Sequence, residues 1–443
     1  MVTGSKIGIF GAGWVGLVTG ACFAELGHEV VIRDVVPEKI ATLEQGEVPF
    51  HEQDVPELLR RNAERLTFTL DVNEIADCEF LFVCVDTPPT QSGDADLSRV
   101  WKVIDELPEL TGRPVLVMKS TVPVGTGEKV RAGLNERGLE HVGYASNPEF
   151  LAEGRAVHDF MNPDRIVIGS FSAADGDAVA NLYAAIDGPV VRADVNSAEM
   201  IKLAANAFLM TRISFINEIA NVCEATGADV VKVAEGVGLD SRLGPHFLRA
   251  GIGYGGSCFP KDSLALKQLA SNSGYHFQLL SAVIEVNELQ KRRVVGKLKG
   301  HLGSLRGKTV ALLGLAFKAG TDDMREAPSI VLASRLLAEG AEVRAWDPVA
   351  DGGKLPDGVE VATSVLEAVR GADAAVIVTE WPELKALASA EVLEAMANPL
   401  IIDGRNLLDP EAARRAGFVY EGIGRPMASS DVLPPAPERV PTV

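Results

Sequence analysis

The stretch from Lys6 to Asp34 is KIGIFGAGWVGLVTGACFAELGHEVVIRD: a short apolar run, a glycine-rich turn, a helical pattern and a second apolar run. This order is typical of a βαβ unit with two buried parallel strands. Gly11 permits the tight turn, Gly13 lets a ligand approach the backbone, and Gly16 lets the helix pack closely on the strand. The start of the helix also offers unpaired N–H groups to phosphate oxygens. The stretch therefore predicts a Rossmann-like pyrophosphate site.

The acidic residue that ends the second apolar run indicates which dinucleotide binds. Asp34 stands 23 positions after Gly11. A carboxylate at this place accepts hydrogen bonds from both hydroxyls of a ribose and repels a 2′-phosphate. The motif thus predicts NAD rather than NADP as the cofactor.

Composition excludes several classes of partner. Asp and Glu total 61 against 42 Lys and Arg, a net charge of −19, which argues against binding to nucleic acid or to an anionic membrane. No apolar run is long enough to span a bilayer, and no secretory leader precedes the first strand. The cysteines are odd in number and lack C-x-x-C pairs, so neither disulfides nor a metal site are expected and a cytoplasmic location is predicted. They are Cys22, Cys78, Cys84, Cys223 and Cys258.

Further apolar runs extend the α/β pattern and divide the chain. Runs at 80–85, 115–119 and 166–168 predict more strands of a doubly wound sheet. Residues 197–226 predict one long helix that is apolar on more than one face, as expected of a helix buried between domains or subunits. We expect four parts: an NAD-binding domain (1–196), a helical dimerisation domain with Cys258 (197–304), a second Rossmann-like domain (305–426) and a disordered tail (427–443).

The second α/β domain lacks the glycine fingerprint of the first. The strand KTVALLG (308–314) is followed by Leu315, Ala316, Phe317 and Lys318, where a pyrophosphate would need glycine. This domain is therefore predicted to bind something other than a dinucleotide. Two α/β domains joined by helices leave a cleft in which a substrate usually binds.

The segment GIGYGGSCFPKD (251–262) has the features of a nucleophilic site. Its glycines allow backbone amides to approach a ligand, and Pro260 starts a helix well. Cys258 then stands directly before a helix N-terminus with Lys261 nearby, an environment that activates a thiol as a nucleophile. Asp262 is expected within one turn of Cys258.

Two further pairs of polar residues have a spacing of four. Lys202 and Asn206 share one face of the long helix, flanked by apolar residues, and are suited to hold an alkoxide or oxyanion. Glu149 and Glu153 follow a predicted strand end at 144–146, the edge at which open α/β sheets bind ligands. One of these carboxylates is a candidate general base for water.

These segments, taken together and in order, resemble the UDP-glucose 6-dehydrogenase family, part of the wider UDP-glucose/GDP-mannose dehydrogenase group. The resemblance covers residues 6–408. It rests on the first glycine fingerprint and on KSTVP (119–123), NPEFLAEG (147–154), SAEMIKLAANAF (197–208), GIGYGGSCFPKD (251–262), AFK (316–318), TDDMRE (321–326) and DGRN (403–406).

The resemblance implies a reaction and roles within it. UDP-glucose, two NAD and water would give UDP-glucuronate and two NADH, with a thiohemiacetal and a thioester formed on Cys258. Lys202 and Asn206 would stabilise oxyanions, and Glu149 would be the base for thioester hydrolysis. Asp262, with an ordered water and Thr121, would handle protons.

The resemblance also implies ligand contacts and a homodimer or larger homo-oligomer. Beyond the glycines, NAD would contact Val15, Asp34, Lys39, Thr87, Thr121, Glu153, Lys261 and Arg325. The sugar nucleotide would contact Glu149, Phe150, Leu151, Glu153, Lys202, Asn206, Phe247, Leu248, Arg249, Ala250, Gly251, Gly255, Lys318 and Arg405. Arg242 resembles the arginine that a neighbouring subunit lends to the substrate. Lys318 and Arg405 also make chemical sense alone, since an acidic protein needs cations to bind a diphosphate.

Three alternatives compete with this hypothesis. The nearest is the same chemistry on UDP-N-acetylmannosamine or GDP-mannose, although NPEFLAEG and the segment around Cys258 are closer to the UDP-glucose branch. A two-electron hydroxyacid dehydrogenase would have no use for Cys258. A non-enzymatic NAD sensor would have no chemical reason to keep Cys258, Lys202, Asn206, Glu149 and Asp262 together.

Overall fold

The computed structural model describes residues 4–428, so the predicted disordered tail lies outside the described residues except for Met427 and Ala428. The described chain divides into two compact units. The first contains the residues up to Ala207 together with Lys261–Phe277, and the second contains Phe208–Pro260 and the residues from Gln278 onward.

An eight-stranded sheet forms the centre of the first unit, in the order β3-β2-β1-β4-β5-β6-β7-β8. All neighbouring strands are parallel except β6 and β7, which are antiparallel. The strands are β1 (Lys6–Phe10), β2 (Glu29–Arg33), β3 (Leu66–Thr69), β4 (Phe80–Val83), β5 (Val115–Met118), β6 (Gly143–Ser146), β7 (Ile166–Ser170) and β8 (Val190–Ala193).

Helices connect these strands and cover both sheet faces. Alternate residues of β4 point to opposite faces, so that Phe80 and Phe82 belong to one buried cluster and Leu81 and Val83 to another. The helices are α1 (Trp14–Glu25), α2 (Pro37–Glu44), α3 (Val55–Arg61), α4 (Ser98–Asp105), α5 (Thr126–Glu136), α6 (Ala156–Met161) and α7 (Ala173–Leu182).

The middle of the chain is helical, as predicted. The long helix α8 begins in the first unit and ends in the second, and α10 follows Cys258 directly. The helices are α8 (Val195–Thr226), α9 (Val230–Gly238), α10 (Phe259–Asn272), α11 (Gln278–Gln290) and α12 (Arg293–Leu302).

The second unit contains a fully parallel six-stranded sheet in the order β11-β10-β9-β12-β13-β14. Its strands are β9 (Thr309–Leu313), β10 (Glu342–Trp346), β11 (Val359–Val361), β12 (Ala374–Ile377), β13 (Leu400–Asp403) and β14 (Val419–Gly422). Its helices are α13 (Pro328–Ala338), α14 (Val365–Val369), α15 (Ala390–Ala395) and α16 (Pro410–Arg415).

The predicted α/β class, with two Rossmann-like doubly wound sheets and a long central helix, is confirmed. In each sheet the strand order reverses beside the first strand, between β1 and β4 and between β9 and β12. Such reversals open a crevice at the carboxyl ends of the strands, where α/β proteins bind ligands. The spacing of Glu149 and Glu153 does not reflect a helical turn, because residues 147–155 are irregular and α6 begins only at Ala156.

Candidate active site

The glycine fingerprint forms the turn between β1 and α1. Gly11 has a φ of +100°, and a Cβ on Gly16 would lie 1.9 Å from the Gly11 carbonyl oxygen, so each of these two positions requires glycine. Gly13 is the N-cap of α1 and has no side chain to cap it, and a Cβ there would meet no atom of the described chain within 4 Å. Open space thus faces the first N–H groups of the helix, which fits a dinucleotide pyrophosphate.

Asp34 lies beside this turn at the end of β2. Its carboxylate accepts the Ala12 N–H at 2.7 Å and the Lys39 ammonium at 2.9 Å, so two predicted cofactor residues meet. Burial raises the pKa of Asp34, but the hydrogen bonds from Lys39 and the backbone outweigh burial and hold the pKa below its usual value. An ionised carboxylate at this position fits the ribose of NAD. Val15, also predicted to contact NAD, is the second residue of α1.

A buried ion pair joins the segment after β6 to the long helix. The Lys202 Nζ lies 2.7 Å from the Glu149 Oε1, and both side chains are only 5% exposed. The Leu151 N–H donates to the Glu149 Oε2 at 2.6 Å. The structure therefore brings together Glu149 and Lys202, which the sequence singled out separately.

The charge of this pair follows from its surroundings. Burial raises the pKa of Glu149, but the Lys202 ammonium, the Leu151 N–H and the nearby Lys119 together hold the pKa below its usual value. Glu149 is consequently an ionised carboxylate held next to a cation. Such a pair provides a proton acceptor and an oxyanion donor at adjacent positions.

A second polar chain links Asn206 to the Thr121 loop. The Asn206 amide donates to the Asp262 Oδ2 at 2.6 Å, and the Lys261 Nζ lies 2.7 Å from the Asp262 Oδ1. Lys261 also donates to the Thr87 hydroxyl at 3.5 Å, and that hydroxyl donates to the Thr121 carbonyl at 2.8 Å. Five predicted site residues from four separate segments thus form one hydrogen-bonded series.

Lys119 is a residue to which the sequence analysis gave no role. It is fully buried, donates to the Asn147 Oδ1 at 3.0 Å and to the Tyr183 hydroxyl at 3.2 Å, and burial lowers its pKa to about 8. Tyr183 donates to the same Asn147 oxygen at 2.6 Å, while the Asn147 amide donates to the Val167 carbonyl. These bonds hold the start of the segment that carries Glu149. Lys119 belongs to the KSTVP segment, but no sequence signal connected Tyr183 with it.

Phe150, another predicted residue of this segment, lies beside the ion pair. The Phe150 ring lies 5.4 Å from the Lys202 ammonium, and the guanidinium of Arg165 stacks on the same ring at 3.6 Å. Leu151 and Glu153 are half-buried. Arg165 was not among the predicted residues.

Cys258 stands apart from the other cysteines. It is half-buried, precedes the first residue of α10 and lies 3.6 Å from the Ser257 hydroxyl. Asp262 is the fourth residue of that helix, so the expected spacing of one turn is confirmed. The other four cysteines are buried, and burial raises the pKa of Cys78 and Cys84 to about 12. Half-burial next to a helix N-terminus distinguishes Cys258 as the candidate nucleophile.

The glycines before Cys258 are required by packing within the second unit. A Cβ on Gly251 would lie 2.8 Å from the Gly404 carbonyl oxygen, and one on Gly255 would lie 2.4 Å from the Glu326 carbonyl oxygen. The Arg405 guanidinium donates to the Gly253 and Phe317 carbonyls at 3.2 and 3.1 Å. The loop with Cys258 is therefore fixed by close backbone contacts and by the same arginine that was predicted to bind substrate.

The end of β10 in the second sheet corresponds to the end of β2 in the first sheet. Asp347, at the end of β10, accepts the Leu315 and Ala316 N–H groups at 2.6 and 3.1 Å and the Trp381 indole N–H at 2.9 Å. Asp347 thus repeats the backbone contact that Asp34 makes with Ala12, but an indole N–H takes the place of the Lys39 ammonium. Lys318 lies beyond this turn, 5.6 Å from the Phe317 ring.

The other predicted residues are distributed over the second unit. Arg242 is 85% exposed and paired with Asp240, an accessibility suited to contact with another subunit. Arg325 pairs with Asp323. In the run 247–251, Phe247 and Arg249 are exposed, whereas Leu248, Ala250 and Gly251 are buried.

Neither a metal cluster nor a membrane span accompanies these residues. Within residues 4–428, no three His, Cys, Asp or Glu side chains are grouped so that they hold a metal ion. In the same range, no helix combines the length and the apolarity needed to cross a bilayer.

Three sequence models of one family match the chain in order. The NAD binding domain of the UDP-glucose/GDP-mannose dehydrogenase family matches residues 5–187, its central domain 196–289 and its UDP binding domain 311–410. A UDP-glucose 6-dehydrogenase of Bacillus subtilis is 47% identical over 95% of this chain and 93% of its own length. One from Pseudomonas aeruginosa is also 47% identical, over 96% of this chain and 98% of its own.

Solved structures agree with the sequence matches. A UDP-glucose dehydrogenase from Pyrobaculum islandicum has a TM-score of 0.88 and 37% identity, covering 95% of this chain and 98% of its own. A UDP-D-ManNAc dehydrogenase from Pyrococcus horikoshii has a TM-score of 0.85 and 30% identity, covering 96% of this chain and all of its own. The chain belongs to the UDP-glucose/GDP-mannose dehydrogenase family.

Proposed function

We propose that this protein catalyses the NAD-dependent oxidation of UDP-glucose to UDP-glucuronate, a four-electron reaction that reduces two NAD. The observation that carries the proposal is the hydrogen-bonded series from Asn206 through Asp262, at the start of the helix that directly follows Cys258. An aldehyde-capturing thiol four residues before a proton-handling carboxylate suits an oxidation that continues past the aldehyde.

NAD supplies a hydride acceptor when it is bound at the glycine turn. In the first oxidation, hydride leaves C6 of the glucose and the hydroxyl proton passes to Asp262 through water, near Thr121. The Lys202 ammonium and the Asn206 amide stabilise the negative charge that develops on the C6 oxygen. Lys202 is held for this task by its bond to Glu149.

Cys258 retains the aldehyde. Its sulfur forms a bond to C6, and the thiol proton moves to the carbonyl oxygen, which gives a thiohemiacetal. A second NAD would supply the acceptor for the next hydride from C6, and the hydroxyl proton would leave through water and Asp262, so that the bound group becomes a thioester. Covalent capture replaces a hydrated aldehyde, which is a poor hydride donor, with an adduct that still carries hydrogen on C6.

Water completes the reaction. Glu149 accepts a proton as water adds to the thioester, the C6–sulfur bond breaks, and the Cys258 thiol and the carboxylate product are released. The lowered pKa keeps Glu149 ionised and therefore able to accept the proton at neutral pH, although the Lys202 cation that lowers the pKa also makes Glu149 a weaker base.

The second unit is proposed to bind the uridine diphosphate. Lys318 and Arg405 are its candidate cations, and Arg405 already organises the loop before Cys258. We infer UDP-glucose rather than UDP-N-acetylmannosamine or GDP-mannose, since relatives at 43–47% identity are named UDP-glucose 6-dehydrogenases. We propose that residues 1–196 bind NAD, that residues 197–304 carry Cys258 and form the dimer, and that residues 305–426 bind the UDP-sugar.

A homodimer through α8 is part of the same proposal. Phe208, Phe215 and Val222 are spaced by seven residues on α8 and are 63%, 53% and 57% exposed. Seven residues are nearly two helical turns, so these side chains form one apolar stripe, a surface suited to a second copy of the chain. Phe215→Glu is expected to halve the mass measured by light scattering, and an unchanged mass would reject this interface.

A cytoplasmic location is proposed from the chemistry. The five cysteines are free thiols, and the reaction requires Cys258 in its reduced form. A reducing compartment preserves such a thiol.

The test of the function is the yield of NADH per sugar nucleotide consumed. With limiting UDP-glucose we expect two NADH per sugar, and almost none with UDP-N-acetylmannosamine or GDP-mannose. Cys258→Ala should prevent the second oxidation, so that the yield falls to at most one NADH per sugar while NAD binding remains. Cys223→Ala, which removes a buried thiol in the same unit, is the control. One NADH per sugar from the unaltered protein would refute the thioester, and no NADH from any of the three sugars would refute the function.

A further inference from the structure

Glu52 is a buried carboxylate that none of the proposed steps uses. It lies between α2 and α3 and is 2% exposed. Its Oε2 accepts the indole N–H of Trp14 and the backbone N–H of Gly154, both at 2.7 Å, and its Oε1 accepts the Ala156 N–H at 3.0 Å. A buried carboxylate is stable only with such donors, so these three bonds fix it firmly.

The donors come from two separate parts of the candidate site. Trp14 is the first residue of α1 and follows Gly13 of the dinucleotide turn. Gly154, with a φ of +81°, closes the irregular segment that begins at Asn147 and carries Glu149. One carboxylate thus connects the turn to a segment more than 100 residues away along the chain, since Glu52 and Gly154 alone are 102 positions apart.

We propose that Glu52 is a positioning residue, which holds the Glu149 segment in register with the NAD-binding turn through Trp14 and Gly154. Productive binding of NAD and reaction at C6 of the sugar then depend on the same carboxylate. The roles of the turn and of Glu149 in this inference rest on the proposed function. The three hydrogen bonds of Glu52 are observed in the structure and do not depend on the proposed function.

A set of conservative variants tests the inference. Glu52→Gln keeps the size of the side chain, but its amide nitrogen must face N–H donors, because both oxygens of Glu52 are acceptors. Trp14→Phe removes one donor and leaves the two backbone bonds. Trp101→Phe, a half-buried tryptophan of α4 in the same unit, is the matched control.

We expect separate changes in KM and kcat, expressed per folded enzyme. Trp14→Phe should raise the KM for NAD by about tenfold, the usual effect of losing one hydrogen bond to a charged group. Glu52→Gln should raise the same KM and also lower kcat by roughly 10- to 100-fold, since the Glu149 segment is displaced. The double variant should be no worse than Glu52→Gln, because the Trp14 bond is one of the three bonds that Glu52→Gln already disturbs. Loss of folded protein alone would reduce activity without raising KM.

The outcomes separate this inference from the proposed function. If both variants stay within about twofold of Trp101→Phe in KM and kcat, the inference is wrong. If the unaltered protein makes no NADH from UDP-glucose, the proposed function fails, and NADH affinity measured by nucleotide fluorescence takes the place of KM. Weaker NADH binding by Glu52→Gln and Trp14→Phe than by Trp101→Phe would then support the positioning role, and equal binding would refute it.

Discussion

Replacing Lys202 by methionine removes the cation that faces the buried Glu149 carboxylate and keeps a side chain of similar length. The ammonium and the carboxylate are 2.7 Å apart and 5% exposed. At an effective dielectric of about 20, this separation corresponds to an attraction of about 6 kcal/mol. Desolvation offsets part of that attraction, so the loss of one partner from a buried pair costs about 3–5 kcal/mol.

Because of the neighbouring Lys119, we expect the loss of Lys202 to cost an amount at the lower limit of this range of about 3–5 kcal/mol. Lys119 also lowers the pKa of Glu149, and it remains in the variant. We therefore expect Lys202→Met to lower the free energy of unfolding by about 3 kcal/mol. For a unit of this size, that loss corresponds to a fall in Tm of about 6–12 °C.

The pH dependence provides a second signature. In the unaltered protein the pKa of Glu149 lies below its unfolded value, so the stabilisation is complete above that value and is lost as pH falls through the folded pKa. Without Lys202, burial raises the folded pKa above the unfolded value of about 4.3. The variant is then most stable when the carboxyl is protonated and loses stability as pH rises. The deficit in Tm should be greatest at neutral pH and should shrink towards acid.

Thermal unfolding between neutral and mildly acidic pH measures both effects. Lys6→Met is the matched control, because it breaks an ion pair with Asp77 whose side chains are 31% and 59% exposed. That change should cost less than about 1 kcal/mol. Adding Glu149→Gln to Lys202→Met removes the uncompensated charge and should restore most of the lost Tm. A loss no larger than that of Lys6→Met, or no recovery in the double variant, would refute the reasoning.

Three further predictions concern other parts of the molecule. Asp34→Asn should raise the KM for NAD by about tenfold and reduce the preference for NAD over NADP, as steady-state kinetics with both cofactors would reveal. In the unaltered enzyme we expect kcat to decline as pH rises through about 8, where Lys119 loses its proton. Lys119→Met should lower kcat and remove this pH dependence. Burial raises the pKa of Glu421, but His301 and Lys297 hold it below its usual value. The second unit should therefore lose stability as pH falls through that depressed pKa, and Lys297→Met should weaken this dependence in thermal unfolding.

The amino-acid sequence determined the fold class and the dinucleotide turn. The buried strands β1 and β2 begin and end where the apolar runs predict, because a strand covered on both faces must be apolar throughout. Gly11 and Gly16 are recognisable because the constraints on them, a positive φ and a close backbone contact, are local. Pro260 likewise predicted that a helix begins directly after Cys258.

The sequence did not predict the strands at the edges of the two sheets. None of the four edge strands β3, β8, β11 and β14 was predicted, and β8 and β11 consist of exposed or half-buried residues. A short edge strand has no continuous apolar run, and its hydrogen bonds depend on the strand beside it.

The partners of the site residues were decided by tertiary structure alone. Glu149 and Lys202 are 53 positions apart, Asn206 and Asp262 are 56 apart, and Lys119 meets Tyr183 across 64. Each of these residues is polar, and its type permits many partners. Only the folding of the sheet and the long helix removes water from them and brings each buried donor to its acceptors. The sequence therefore indicates which side chains are available, whereas burial determines which of them pair.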